Sequence, residues 1–158
     1  MHRCIGVNLA LSLMCLCTIR QARADVRYVY DANHRLIGVI GTTGNTTRYV
    51  YDDLGNLVRT DSLAPTQLAL LGFTPEHGAP GVPVSIYGQG FSTTAASNTV
   101  KFNGTAATVA SANVNQLQVS VPAVATTGLI SVTVAGQTVT SAAPFVVDGT
   151  GLAPVVTG

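Results

Sequence analysis

The pentapeptide Arg27-Tyr28-Val29-Tyr30-Asp31 returns about 21 residues later as Arg48-Tyr49-Val50-Tyr51-Asp52, and self-similarity at that period marks stacked structural units. A Leu follows each copy at the same offset (Leu36, Leu57), with turn-forming residues between. A repeat of this kind predicts a surface built by stacking and carries no reactive constellation of its own. Side chains two apart on a strand point the same way, so Tyr28 and Tyr30 share one face, as do Tyr49 and Tyr51. If the two copies pair, the result is an aromatic ladder worth about 0.2–1 kcal/mol per cross-strand pair. Such a ladder serves either as packing between neighbouring hairpins or as a stacking surface for a sugar or peptide.

Residues 1–24 read as a secretory signal. Arg3 gives a positive start, Leu9 to Cys17 an apolar run, and Ala22-Arg23-Ala24 the small-x-small pattern that places cleavage between Ala24 and Asp25. The apolar run is too short to span a bilayer, which needs roughly 20 residues, so no membrane anchor is expected after cleavage. All three cysteines (Cys4, Cys15, Cys17) lie in this segment. The mature chain is therefore expected to have no disulfide, thiolate nucleophile or Cys-based metal site, and disulfide-free export fits a bacterium. Beyond Ala24, five basic residues face seven acidic ones, giving a formal charge of −2. Nucleic-acid binding, which needs clustered Lys and Arg, is not expected.

Composition changes near Ser62. Residues 25–61 hold nine of the twelve mature charges and four of the five mature tyrosines, whereas 66–147 contains only Glu76 and Lys101 as charged groups. Asp61-Ser62-Leu63-Ala64-Pro65-Thr66 has linker chemistry. The expected organisation is a signal at 1–24, two repeats at 25–62, a linker at 63–66, one β-domain at 67–147 and a tail at 148–158. Strand signals fill the domain. Leu68–Phe73 is an apolar run and Gly78–Pro83 a turn, followed by Val84–Tyr87 alternating at period two. Val100-Lys101-Phe102 meets Asn103-Gly104, a hairpin signal because a type I′ turn needs positive φ at both central residues. Ala107–Ala110 is expected as its return strand. Leu117–Val121, Ile130–Val134 and Phe145–Val147 follow, with Ala135-Gly136-Gln137 a turn. Seven or so short strands without an amphipathic helix predict an all-β, immunoglobulin-like sandwich.

The pattern Phe73-x-Pro75, Gly78-x-x-Gly81, Val84-x-Ile86-x-Gly88-x-Gly90-Phe91, Val100-x-Phe102-x-Gly104 and Val119-x-Val121-Pro122, ending in Gly128-x-Ile130-x-Val132-x-Val134 and Phe145, resembles an IPT/TIG domain. That resemblance implies an immunoglobulin-like fold and a spacer or interaction role. The Tyr28-x-Tyr30-Asp31 and Tyr49-x-Tyr51-Asp52 copies, with Arg35-Leu36 and Leu54-Gly55-Asn56-Leu57, resemble the YD repeat of bacterial RHS-type proteins, which implies tandem β-hairpins. The first copy has Asn33-His34 where the second has Leu54-Gly55, and Asn33 is expected to tolerate the positive φ of the turn. Leu152-Ala153-Pro154 resembles the lead-in Leu63-Ala64-Pro65, so the tail is expected to begin a second such sandwich in a longer tandem-repeat exoprotein.

Nothing in the remaining residues spells an active site. His34 and His77 lack partners at metal-ligand spacing. Asp52-Asp53-Leu54-Gly55-Asn56 lacks the alternation and closing Glu of a calcium loop and reads as a turn. Gly88-Gln89-Gly90 precedes no helix and reads as a strand end rather than a phosphate cradle. No cofactor, metal or catalytic residue is expected. The sequence suggests a non-catalytic, secreted or envelope-associated scaffold or adhesion module with a protein or polysaccharide partner at the cell surface. Tyr28, Tyr30, Tyr49 and Tyr51 are the candidate ligand-stacking residues. The alternatives are a carbohydrate-binding module using those tyrosines and the non-catalytic front end of a larger secreted enzyme or toxin.

Overall fold

A computed structural model describes residues 26–41 and 45–149. The expected signal segment with its expected Ala24–Asp25 cleavage point, and the tail beyond Gly149, lie outside the described residues.

The repeats form a four-stranded antiparallel meander of β1 (Arg27–Tyr30), β2 (Leu36–Ile40), β3 (Thr46–Tyr51) and β4 (Leu57–Leu63), in that spatial order. Each copy is one hairpin, and its Asp builds the turn. Asp31 Oδ1 accepts from the Asn33 and Arg35 amides at 3.0 and 2.8 Å. Asp52 Oδ1 accepts from those of Leu54 and Asn56 at 3.0 and 2.8 Å. An aspartate that satisfies backbone amides two and four residues on fixes the turn locally. The positive φ falls on His34 (58°) and Gly55 (87°), so in the first copy His34 rather than Asn33 adopts the left-handed conformation. The backbone bonds from Asp31 N to Arg35 O and from His34 N to Asp31 O fix the position, whichever residue occupies it.

The expected tyrosine ladder is absent. β2 stands between β1 and β3, so the tyrosine strands are not neighbours. A meander of two hairpins necessarily alternates the first and second strands of the repeat.

The remaining strands form a sandwich. One sheet has the order β10 (Val109–Asn113), β11 (Gln116–Ser120), β7 (Pro83–Gln89), β5 (Ala69–Thr74). The other runs β6 (His77–Gly78), β13 (Gln137–Val147), β12 (Gly128–Val134), β8 (Asn98–Phe102), β9 (Thr105–Ala107). Period-two alternation turns Val84 and Ile86, Leu117 and Val119 inward from the first sheet, and Val100 and Phe102, Ile130 and Val132 inward from the second; all are buried. Phe145 packs edge-on to Phe102 with ring centroids 5.0 Å apart and lies 6.0 Å from Phe73, a geometry aromatic quadrupoles favour.

Asn103 (φ 43°) and Gly104 (φ 87°) make the two-residue hairpin turn expected of them. Its return strand is β9, Thr105–Ala107. Ala107 pairs with Val100, and the chain then crosses to the opposite sheet, where Val109 faces Val119. The single return strand expected at Ala107–Ala110 is thus divided between two sheets. The closing strand is also longer than Phe145–Val147. In β13 only Ser141 and Phe145 are buried, so most of the strand shows no apolar alternation. Gly78, expected to open a turn, instead pairs with Val147 in a short parallel ladder.

The 63–66 segment is not a free linker. Leu63 is the last residue of β4 and is buried. Buried Gln89 donates through Nε2 to the carbonyls of Ala64 and Gln67, at 2.7 and 2.8 Å. The Ala64 carbonyl also accepts from the Gln67 amide at 2.9 Å, which closes the turn.

A second apolar cluster joins the meander to the sandwich. Val29, Ile40 and Leu63 from the meander bury against Ala69 and Leu71 of β5, with Ile37 and Tyr87 at the margin. Two glycines set how closely the layers approach. A Cβ on Gly38 would lie 2.9 Å from Leu71 Cδ1, and one on Gly72 would lie 3.1 Å from both Ile37 Cδ1 and Val29 Cγ1. Arg27 adds a polar tie, donating from Nη1 to Gln116 Oε1 at 2.6 Å and standing 5.3 Å over the Tyr87 ring.

Candidate interaction cleft

Beside this seam the two layers diverge and leave a cleft of about 530 Å3. Its meander wall carries Tyr30, Arg35, Arg48, Tyr49, Tyr51 and Arg59; the sandwich wall comes from β5, Glu76 and residues 140–143 of β13. A second groove of about 440 Å3 opens alongside it, lined among others by Tyr30, Asp31, His34, Glu76, His77 and Tyr87. Tyr30, Tyr49 and Tyr51, three of the four tyrosines singled out in the sequence, are among the residues that line the first cleft. Tyr28, 57% exposed, does not line it. Val29 is buried between Tyr28 and Tyr30, as alternation requires.

Ion pairs organise the meander wall. Arg35 Nε donates to Asp31 Oδ2 at 2.8 Å, and its guanidinium lies 5.0 Å over the Tyr51 ring. The Tyr51 hydroxyl donates to Leu36 O at 2.9 Å, which ties the second repeat to the first. Asp61 receives two arginines: Arg48 through Nε and Nη2 on Oδ2, at 3.0 and 2.6 Å, and Arg59 through Nε on Oδ1 at 2.8 Å.

Partial burial pushes the Asp31 carboxyl up, but bonds from the Arg35 amide and guanidinium, that cation's charge and the Asn33 amide outweigh it and hold the group below its ordinary value. Asp61 is lowered chiefly by the Arg48 hydrogen bonds, with Arg59 adding to them against some desolvation. Both are carboxylates at neutral pH.

The arginines are the part of the site that sequence reading missed. Their signal was present, since Arg48 and Asp61 face each other across β3 and β4; finding it requires the register. Among the described residues no group of three or more His, Cys, Asp or Glu is placed to hold a metal ion. His77 pairs with Asp148 at 3.1 Å on the exposed flank. The Asp52 segment is a hydrogen-bonded turn, with its carboxyl lowered first by the Asn56 side chain. Among those residues no helix is long and apolar enough to cross a membrane.

Fold and cleft together define a β-rich interaction module, an immunoglobulin-like sandwich with a hairpin-repeat sheet fixed to its flank. The IPT/TIG domain model matches residues 69–147, half of the chain, and the RHS repeat model matches residues 30–66. The chain belongs to the IPT/TIG domain family and carries an N-terminal RHS repeat segment.

No curated protein matches the chain. Solved structures do. An auxiliary nutrient binding protein from Bacteroides thetaiotaomicron is 24% identical over 54% of this chain and 22% of its own, with a TM-score of 0.50. A second auxiliary nutrient binding protein, from Bacteroides ovatus, gives the same identity, coverage and score. A putative phosphatase from B. thetaiotaomicron is 29% identical over 54% of this chain and 19% of its own, again with a TM-score of 0.50. The chain thus spans about a fifth of the length of these proteins; the two at 24% share its fold.

Proposed function

We propose that this chain is a non-catalytic, exported bacterial interaction module that serves as a scaffold or adhesion element at the cell surface. The observation that carries the reading is the apolar seam of Val29, Ile40, Leu63, Ala69 and Leu71. It fixes the repeat sheet against the sandwich and so holds a concave two-walled surface in place without a disulfide. Such a preformed concavity, with a few placed polar groups, is what ligand recognition needs. The polar groups on its meander wall are guanidiniums, paired carboxylates and tyrosines, groups suited to holding a partner. The leader-like residues 1–24 support export.

Expression of the full chain with its own leader in a Gram-negative host tests the reading. The expected result is a mature chain beginning at Asp25, recovered from the periplasmic, surface or secreted fraction. An intact Met1 terminus in the cytoplasm would overturn it. A carbohydrate-binding role is the second reading, favoured by the presence of Tyr30, Tyr49 and Tyr51 among the residues lining one cleft.

A further inference from the structure

β4 is an open edge of the repeat sheet. It runs seven residues, Leu57–Leu63, with β3 on one side and no strand on the other. After Leu63 the chain enters the sandwich, so it adds no fifth strand to the sheet. Among the described residues no backbone group of Leu57 to Ser62 bonds to anything beyond the β3 pairing. Leu57 through Thr60 are all exposed, Leu57 to 52% and Val58 to 60%. A long edge with exposed apolar side chains is a template for another strand, and its charges select which one.

Antiparallel pairing of two copies edge to edge puts a two-fold axis perpendicular to the sheet, an isologous contact that closes on itself. Such an axis keeps every side chain on its own face, and residues opposite one another share a face. Each residue must then oppose one an even number of positions away, so the axis passes through a residue and never between two. The β4 register is regular from Arg59 to Leu63. An axis through Arg59 sets that cation against its own copy, and an axis through Asp61 does the same to the carboxylate; like charges directly opposite destabilise a sheet. An axis through Thr60 sets Arg59 against Asp61 of the second copy, twice over. Arg59 has donors to spare for this. It uses Nε on its own Asp61, both Nη groups have no protein acceptor among the described residues, and the side chain is 61% exposed.

We propose that β4 pairs with β4 of a second copy, antiparallel and centred on Thr60, joining two four-stranded meanders into one continuous sheet. Both sandwiches then stand on the same face with their clefts side by side, so a partner with repeated groups is held at two points. The pairing depends on the edge alone and needs neither export nor a particular ligand.

Sedimentation velocity of the chain from Asp25 onward, over a wide range of concentration, is the first measurement. The expected result is a reversible monomer–dimer equilibrium. A monomer throughout, or a species that keeps growing, would overturn the proposal. Arg59→Asp and Asp61→Arg should each weaken the dimer at least tenfold, since the axis repeats every substitution. Mixed together they should pair again, because one chain then offers two acids and the other two bases at the facing positions. A dimer unaffected by Arg59→Asp, or no recovery on mixing two folded variants, would refute the register. Asp61→Arg removes the acceptor of Arg48 and Arg59; if circular dichroism shows it unfolded, cysteine placement carries the test. The chain from Asp25 onward has no cysteine, and Thr60 and Ser62 are both exposed. A short thiol cross-linker should join Thr60→Cys into dimers. It should leave Ser62→Cys monomeric, because the two copies of that position lie about 13 Å apart along the strands. Equal cross-linking at the two positions, or none at Thr60→Cys, would overturn the proposal.

Discussion

Replacing Gly38 with Ala should destabilise the parent protein yet stabilise a protein that already carries Leu71→Ala. In the parent, an added Cβ meets Leu71 Cδ1 at 2.9 Å, with Leu71 Cβ and Cγ at 3.5 Å. The first contact is too close and must be relieved. Overpacking of this kind costs about 1–3 kcal/mol, and the low end applies because the clashing atom is a terminal methyl. Leu71→Ala alone removes a buried side chain from a cluster of five and should cost about 2–5 kcal/mol.

In that background the clash is gone. The Gly38 methyl then fills part of the cavity, worth about 0.8 kcal/mol. It also restricts the unfolded chain, worth about 0.4–1 kcal/mol at a position with ordinary φ, and Gly38 is not among the glycines with positive φ. The effect of Gly38→Ala should therefore change sign, with a coupling of about 2 kcal/mol between the sites. Urea unfolding of all four proteins measures this; far-UV circular dichroism is the signal, because the sequence has no tryptophan. The same sign in both backgrounds, with coupling below about 0.5 kcal/mol, would refute the reasoning that the two layers touch at this pair.

Gln89→Leu should cost about 1–3 kcal/mol, because it removes the donor to the Gln67 carbonyl and one of the two donors to the Ala64 carbonyl, which keeps the Gln67 amide; a urea midpoint unchanged from the parent would contradict this. His34→Gly should stabilise by about 0.5–1 kcal/mol, the left-handed strain relieved at φ 58° less the entropy of a glycine. A lowered melting temperature would show that the His34 side chain holds the turn. Acid should weaken the repeat sheet. Asp31, Asp52 and Asp61 all lie below the ordinary value of 3.8 when folded. Their contribution is complete above that value and is lost as pH falls through it toward the lower folded values. Melting temperatures between pH 6 and pH 2 should drop in that window, and Asp31→Asn should flatten the drop.

Much of the sandwich was legible because its strands are half-buried, and half-burial leaves alternation. Val84-Ser85-Ile86 and Leu117-Gln118-Val119 read inward and outward as they fold, and Asn103-Gly104 announced its own turn through the φ values it demands. β13 was mostly invisible for the opposite reason: eleven residues bury only two, so hydrogen bonding rather than patterning defines it. The division after Ala107 was illegible because a strand that changes sheets keeps its propensity while changing partners.

At the cleft, the tyrosines were legible as types and their arrangement was not. Whether Tyr28 and Tyr49 stack depends on strand order, and one intervening strand decides it. The arginines were hidden further, since their relation to Asp61 exists only once β3 and β4 are in register. Leu63 reads as part of a connector because Ala64, Pro65 and Thr66 follow it with loop chemistry; its burial comes from the surface it meets.

The seam between the layers also bears on how such modules travel between genes. A family boundary drawn at residue 69 falls on Ala69, which is buried against the repeat sheet. A sandwich copied from that point onward would arrive with Ala69, Leu71 and Tyr87 uncovered on one flank, and a repeat segment copied alone would expose Val29, Ile40 and Leu63. Recombination at this junction thus favours moving both pieces as one cassette, or joining a sandwich to a new neighbour that brings its own apolar face and its own glycine opposite Leu71.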